Sequence, residues 1–146
     1  MKPEYTGSIW FSIPIFSECE VASSPRYRWK CYDRGDDPFV IIQWTRSGEG
    51  MFTCERGTFK VPPGFAFVAI VSEQSSYYYP PKGKEPWVYE WINIYGSTAC
   101  DIFRKFQAEF GPVVPLSIQG SGQGLHFAGS SRRFPARKVR IGTKSA

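Results

Sequence analysis

Glu85-Pro-Trp-Val-Tyr-Glu-Trp-Ile-Asn-Ile-Tyr-Gly96 is the stretch whose reading decides the fold. Side chains alternate faces along a strand, so Trp87, Tyr89, Trp91, Asn93 and Tyr95 share one face of it. Val88, Glu90, Ile92 and Ile94 share the other. One face is aromatic with polar tips and the other is mainly aliphatic, which predicts a strand whose two sides look onto different surroundings. Upstream, short aromatic and β-branched runs alternate with turn signals, the pattern of an antiparallel sandwich or barrel. Residues 26–32 read as a strand with one wet face. Residues 39–45 are apolar on both faces and read as a central strand. Ser47-Gly48-Glu49-Gly50 turns into a strand over residues 51–54, and Arg56-Gly57 turns into another over 58–61. Pro62-Pro63-Gly64 is a strong turn, because proline presets φ and glycine accepts the positive φ that follows. It leads into a buried strand over residues 65–71. Tyr77-Tyr78-Tyr79 reads as a rim feature or an edge strand, and residues 80–86 as a loop.

Downstream of the aromatic strand, Ser97 is a candidate N-cap with Asp101 near the positive end of the helix that follows. Ile102, Phe103, Phe106 and Phe110 recur at helical spacing, and Gly111-Pro112 stops the run. Beyond Leu116 the character changes. Gly120, Gly122, Gly124 and Gly129 are followed by Arg132, Arg133, Arg137, Lys138, Arg140 and Lys144 with no acidic residue. The net charge of +5 is therefore carried by this end, since residues 1–117 hold 12 basic and 13 acidic groups. These observations divide the 146 residues into one domain, 1–117, and a flexible Gly/Ser-rich basic tail, 118–146, expected to lack order because it offers little apolar surface to offset chain entropy. The tail's cations suit phosphate binding without sequence choice, and a solvated end is the plainer reading.

Several function classes lack support. Cys19, Cys31, Cys54 and Cys100 form no C-x-x-C pair, and they read as buried small hydrophobes, with spacing alone leaving a disulfide open. His126 is the only histidine, too few for a nitrogen-rich metal site, so no metal and no cofactor is expected. No G-x-S-x-G elbow and no phosphate-cradling glycine loop occurs. The protein is read as not an enzyme. The stretch from Ile9 to Phe16 is too short to span a membrane and is followed by no convincing cleavage site, which points to the cytoplasm. Aromatic rings with polar tips, such as Tyr89 and Trp91 beside Asn93, suit the C–H faces and hydroxyls of a sugar, or they simply fill the interior. Arg34, in Tyr-Asp-Arg-Gly-Asp-Asp, either bonds a ligand or pairs with Asp33, Asp36 or Asp37; charge pattern favours the surface pair.

The run Thr45-Arg-Ser-Gly-Glu-Gly, then Phe59-Lys-Val-Pro-Pro-Gly-Phe-Ala-Phe, Tyr79-Pro-Pro, and the aromatic strand from Glu85 to Gly96 resemble the N-terminal sensor domain of AraC/XylS-type transcriptional regulators over roughly residues 34 to 117. The resemblance implies a mostly β fold, a cupin-like jelly-roll barrel with one C-terminal amphipathic helix. Its interior would bind a small effector, often a sugar, and the domain would form a homodimer. By motif position the implied ligand-binding residues are Arg34, Tyr78, Tyr89 and Trp91. The choice of Tyr78 over Tyr77 or Tyr79 rests on ungapped spacing to Trp87. Members of the family continue into two helix-turn-helix units, and these residues contain none. The chain therefore reads as truncated before its DNA-binding domain, so that DNA would be reached only through that missing part. The alternative is a stand-alone cupin-like enzyme or small-molecule-binding protein.

Overall fold

The aromatic strand β9 (Trp87–Tyr95) lies antiparallel to β4 (Phe39–Ser47) along nearly its whole length, from Phe39 opposite Tyr95 to Ser47 opposite Val88, with a bulge between Thr45 and Ser47. The computed structural model describes residues 14–16, 19–118 and 125–127. On the other side of β4 runs β7 (Phe65–Ile70), followed by β10 (Val113–Ile118) and β11 (Leu125–Phe127). At the far side of β9, β1 (Pro14–Phe16) and β2 (Glu20–Ala22) pair with different parts of the same strand. A second, four-stranded sheet has the order β3 (Arg28–Lys30), β8 (Ser76–Tyr78), β5 (Gly50–Cys54) and β6 (Gly57–Val61). All these pairings are antiparallel. The fold is thus mostly β, two antiparallel sheets with one helix, as the sequence reading expected.

The two faces of the large sheet separate two cores. Phe39, Ile41, Phe67, Ala69, Trp87 and Tyr89 point toward the small sheet and meet Phe52, Val61 and Tyr77 there. Val40, Ile42, Ala66, Val68, Ile70 and Ile92 point outward and are covered by α1 (Ser97–Phe110) through Ala99, Cys100, Phe103 and Phe106. β4 is buried on both faces because it lies between β9 and β7 and beneath α1, which explains its unbroken apolar run. Ile102 shares the helix but not its buried face, and is 57% exposed.

Five local expectations change. The strand anticipated over residues 26–32 narrows to β3, and Cys31–Asp33 forms a single 3-10 turn that buries Cys31. Ser97 is the first helical residue and not the cap. Gly96 holds the cap position with φ 122°, a conformation that glycine adopts without a Cβ penalty. Its N–H donates to Pro38 O and its carbonyl accepts from Cys100 N–H. Asp101 therefore lies a turn into the helix, paired with Arg104 at 3.0 Å. Tyr77 and Tyr78 of the triplet lie in β8, which is no edge strand but lies between β3 and β5. Finally, Leu125–Phe127 pairs with β10, inside the segment read as structureless. The basic run from Arg132 to Lys144 lies outside the described residues.

The Gly48-x-Gly50 turn has a packing reason. A Cβ at Gly48, where φ is +71°, would run into the Pro86 carbonyl, and a Cβ at Gly50 would overlap the indole of Trp87. The two glycines let the turn after β4 close against the start of β9.

Candidate functional site

Between the sheets the aromatic side chains form a cluster with polar groups among the rings. Trp87 and Tyr89 rise from β9 with ring centroids 4.9 Å apart, and Tyr27 packs against both, edge-on to Trp87 at 5.8 Å and tilted to Tyr89 at 5.6 Å. Tyr77 approaches from the small sheet, 4.9 Å from Phe67 and 6.4 Å from Tyr27. These positions follow from alternation in two strands and from the turn that brings Tyr27 back over the sheet. Tyr27 N–H donates to Ser24 O, and its carbonyl accepts from Tyr79 N–H.

The polar atoms are mostly paired. Arg34 Nη1 donates to the Tyr77 hydroxyl, and the guanidinium lies 4.8 Å from the Trp29 ring and 5.4 Å from Phe39. Arg34 thus lies against buried Tyr77 and Phe39 and the exposed ring of Trp29, and no ion pair joins it to Asp33, Asp36 or Asp37 among the described residues. Tyr89 donates to Glu20 Oε2 at 3.1 Å, Glu20 standing directly opposite it across the β2–β9 pair. Trp87 Nε1 donates to Thr45 Oγ1 at 2.8 Å, which in turn donates to Val61 O at 2.7 Å. Gln43, in register between Trp91 and Phe67, turns its side chain to the Tyr27 hydroxyl.

Tyr89 belongs to the inner core and Trp91 packs against it, while Arg34 reaches that core through Tyr77 and Phe39. The structure does not bring Tyr78 with them, and this is a correction. Consecutive strand residues face opposite sides, so with Tyr77 inside, Tyr78 points outward, where its hydroxyl meets Thr53 Oγ1 at 2.9 Å and Arg28 covers its ring at 4.1 Å. Tyr79 faces inward again and donates to Glu85 O at 2.7 Å. Tyr27, Gln43, Glu20 and Tyr77 join this cluster without having been singled out in the sequence. A signal for Gln43 was present, a carboxamide in the middle of the apolar run of β4; Tyr27 and Glu20 carried none, because only long-range pairing brings them to the cluster.

Burial pushes the phenols of Tyr27, Tyr77 and Tyr89 above the usual tyrosine range. The charge of Arg34 opposes the rise at Tyr77, whereas the bond with Tyr27 and the Glu20 carboxylate add to it at Tyr89. The site is therefore lined by neutral hydroxyls. Below about pH 10 these phenols keep their protons in both folded and unfolded chains. Above it the unfolded chain ionises first, so stability is lost as the pH climbs toward the raised folded values. Urea unfolding between about pH 8 and 11 is expected to show a fall of up to about 1.4 kcal/mol per pH unit per group, and Tyr77→Phe is expected to flatten it. An identical slope in the variant would contradict the assignment.

Two surface clefts lie away from this cluster. One, of about 680 Å³, is bounded by Glu49, Met51, Lys60 and the loop from Pro80 to Glu85. The other, of about 440 Å³, lies among Cys54, Arg56, Glu73 and Gln107. Neither is lined by the residues of the aromatic cluster, so size alone does not mark the site. No cluster of three or more potential metal ligands occurs among the described residues, and no helix among them is long and apolar enough to cross a membrane.

No curated protein matches the sequence. Among solved structures the chain is similar to ToxT from Vibrio cholerae strain SCE256, a structure described as bound to an unsaturated fatty acid. Identity is 11%, the TM-score is 0.31, and the match covers 73% of this chain but 34% of that one, so this chain spans about a third of ToxT. The family model for the AraC-like ligand binding domain matches residues 20–130, from β2 through α1 and beyond β11. By that match, which takes in most of its length, the chain belongs to the AraC-like ligand-binding domain family.

Proposed function

We propose that this domain senses a small polar organic effector on behalf of a transcription regulator, and that the effector binds between the two sheets at Arg34, Tyr77, Tyr89 and Trp91, with Tyr27 and Gln43 completing the site. The observation that carries this reading is the aromatic cluster between the sheets, with hydroxyls, a carboxamide and a guanidinium among its rings. Flat rings favour the C–H faces of a sugar and the polar tips favour its oxygens, so sugars and their derivatives are the first class to try. The reading includes a homodimer, supported by the exposed Ile102 on α1, a cytoplasmic location, and DNA contact left to a helix-turn-helix domain outside these residues.

A ligand present at a hundred times its dissociation constant stabilises the folded state by about 2.7 kcal/mol, so thermal unfolding across a broad sugar panel is the direct test. At least one compound is expected to raise the melting temperature. Trp91→Ala is expected to abolish that shift while leaving the circular dichroism of the fold in place. Unchanged affinity in Trp91→Ala would place the site elsewhere.

A further inference from the structure

The outer face of the small sheet belongs to neither core. Phe52 and Tyr77 point into the interior, so their strand neighbours Met51 and Tyr78 point the other way. Register extends that row across all four strands, from Arg28 through Tyr78 and Met51 to Lys60. Helix α1 lies against the large sheet, and Met51, although half-buried, is part of neither hydrophobic cluster. At the Met51–Lys60 corner of this face opens the cleft of about 680 Å³, bounded on its other side by the loop from Pro80 to Glu85.

That loop is held in shape. Gly83 N–H donates to Pro80 O at 3.0 Å, the Tyr79 hydroxyl donates to Glu85 O at 2.7 Å, and Gly83 lies so close to the Tyr79 ring that a Cβ there would overlap it. Pro80 and Pro81 fix their own φ. Lys82 and Lys84, on either side of Gly83, therefore border the cleft from a fixed backbone, exposed and in no ion pair among the described residues. Arg28 lies over the Tyr78 ring at 4.1 Å and likewise joins no carboxylate among them. Of the two acidic residues at the cleft, Glu49 and Glu85, the first is engaged by Lys60 at 3.7 Å. The face thus carries an excess of cations around an apolar floor of Met51 and two prolines.

A nucleic-acid backbone suits this surface poorly. Duplex DNA carries a charge about every 1.7 Å along its axis, so it would meet Glu49 and Glu85 as well as the lysines. Pro80 and Pro81 offer a phosphate no N–H, and that of Gly83 is already given to Pro80. A peptide, in contrast, sets carboxylates and apolar side chains at separate positions. We propose that this face docks an acidic peptide segment of a partner protein, with an apolar side chain seated on Met51, Pro80 and Pro81 and carboxylates reaching Lys82, Lys84 and Arg28. The pinned loop lowers the ordering cost of such a contact, because its backbone is already in place before the peptide arrives. This surface is separate from the interior effector site and does not depend on it.

The test is fluorescence anisotropy of the full chain with a fluorescein-labelled dodecapeptide in which glutamate pairs alternate with leucine and phenylalanine. Its companions are the same peptide with glutamine for glutamate, the same peptide with alanine for leucine and phenylalanine, and a thymidylate DNA strand of twelve nucleotides. The acidic, apolar peptide is expected to bind at least about tenfold more tightly than any companion. Replacing both loop lysines, Lys82→Glu with Lys84→Glu, is expected to weaken it at least about tenfold. The melting temperature is expected to stay within about 2 °C, since both side chains are exposed and unpaired. Equal binding to the double variant puts the contact elsewhere, on the basic run from Arg132 to Lys144 for instance, and overturns the proposal. A glutamine or alanine peptide that binds as well as the first overturns it too, because charge or the apolar seat then plays no part. A DNA strand that binds more tightly than the peptide and is lost in the double variant makes this a nucleic-acid surface and overturns the peptide assignment. Failure of the acidic, apolar peptide to bind overturns it outright.

Discussion

Trp87→Ala is expected to lower the free energy of unfolding by about 3–5 kcal/mol, the range for removing a large buried aromatic side chain. For a chain of this length that corresponds to a melting temperature lower by roughly 10 °C. The indole is fully buried, and it is where three parts of the molecule meet. It starts β9, it packs on Tyr27 and Tyr89, and through Nε1 it bonds Thr45, whose hydroxyl reaches Val61 at the end of β6. Its removal opens a cavity between the sheets and cuts a polar chain that ties them together. Trp87→Phe separates the two contributions, since a ring remains and the N–H does not; about 1 kcal/mol is expected from the lost hydrogen bond, on top of a smaller packing loss. Urea denaturation of both variants measures these values. A cost below about 1 kcal/mol for the alanine variant would mean that the cluster does not depend on this ring.

The second large effect is expected at the turn that receives that ring. Gly48→Ala is expected to cost about 3 kcal/mol, combining backbone strain at φ +71° with a Cβ driven into the fixed carbonyl of Pro86. Gly50→Ala meets the Trp87 indole instead, with an expected cost of about 1–3 kcal/mol from overpacking. The two glycines then differ in a measurable way. Combined with Trp87→Ala, Gly50→Ala is expected to add almost nothing, because its obstacle is gone, whereas Gly48→Ala keeps its full cost because its obstacle is backbone. Residues in contact are non-additive in this sense and distant ones are not. Additivity at Gly50 would contradict the close approach of the ring.

Much of the architecture was legible in the sequence because its signals are local. The alternation from Trp87 to Tyr95 placed each side chain on the correct face, and the apolar run of β4 marked a strand covered on both sides. Helix limits were nearly right for the same reason, although the tight corner after Tyr95 required a positive φ that gave Gly96 the cap in place of Ser97. The candidate site was legible only in part. Arg34 was weighed as a surface partner for its neighbouring aspartates, and its real partners, Tyr77, Trp29 and Phe39, are assembled by pairing across the fold.

By itself, the sequence determined which residues alternate, where the turns must fall and which strand carries the aromatic face. Those properties follow from backbone geometry a few residues at a time. Only the tertiary structure decided that Tyr77 and not Tyr78 faces the interior, and that Gln43 stands there beside Tyr27. Both depend on which sheet lies opposite and in what register, and a shift of one residue across a loop reverses every side chain of a strand.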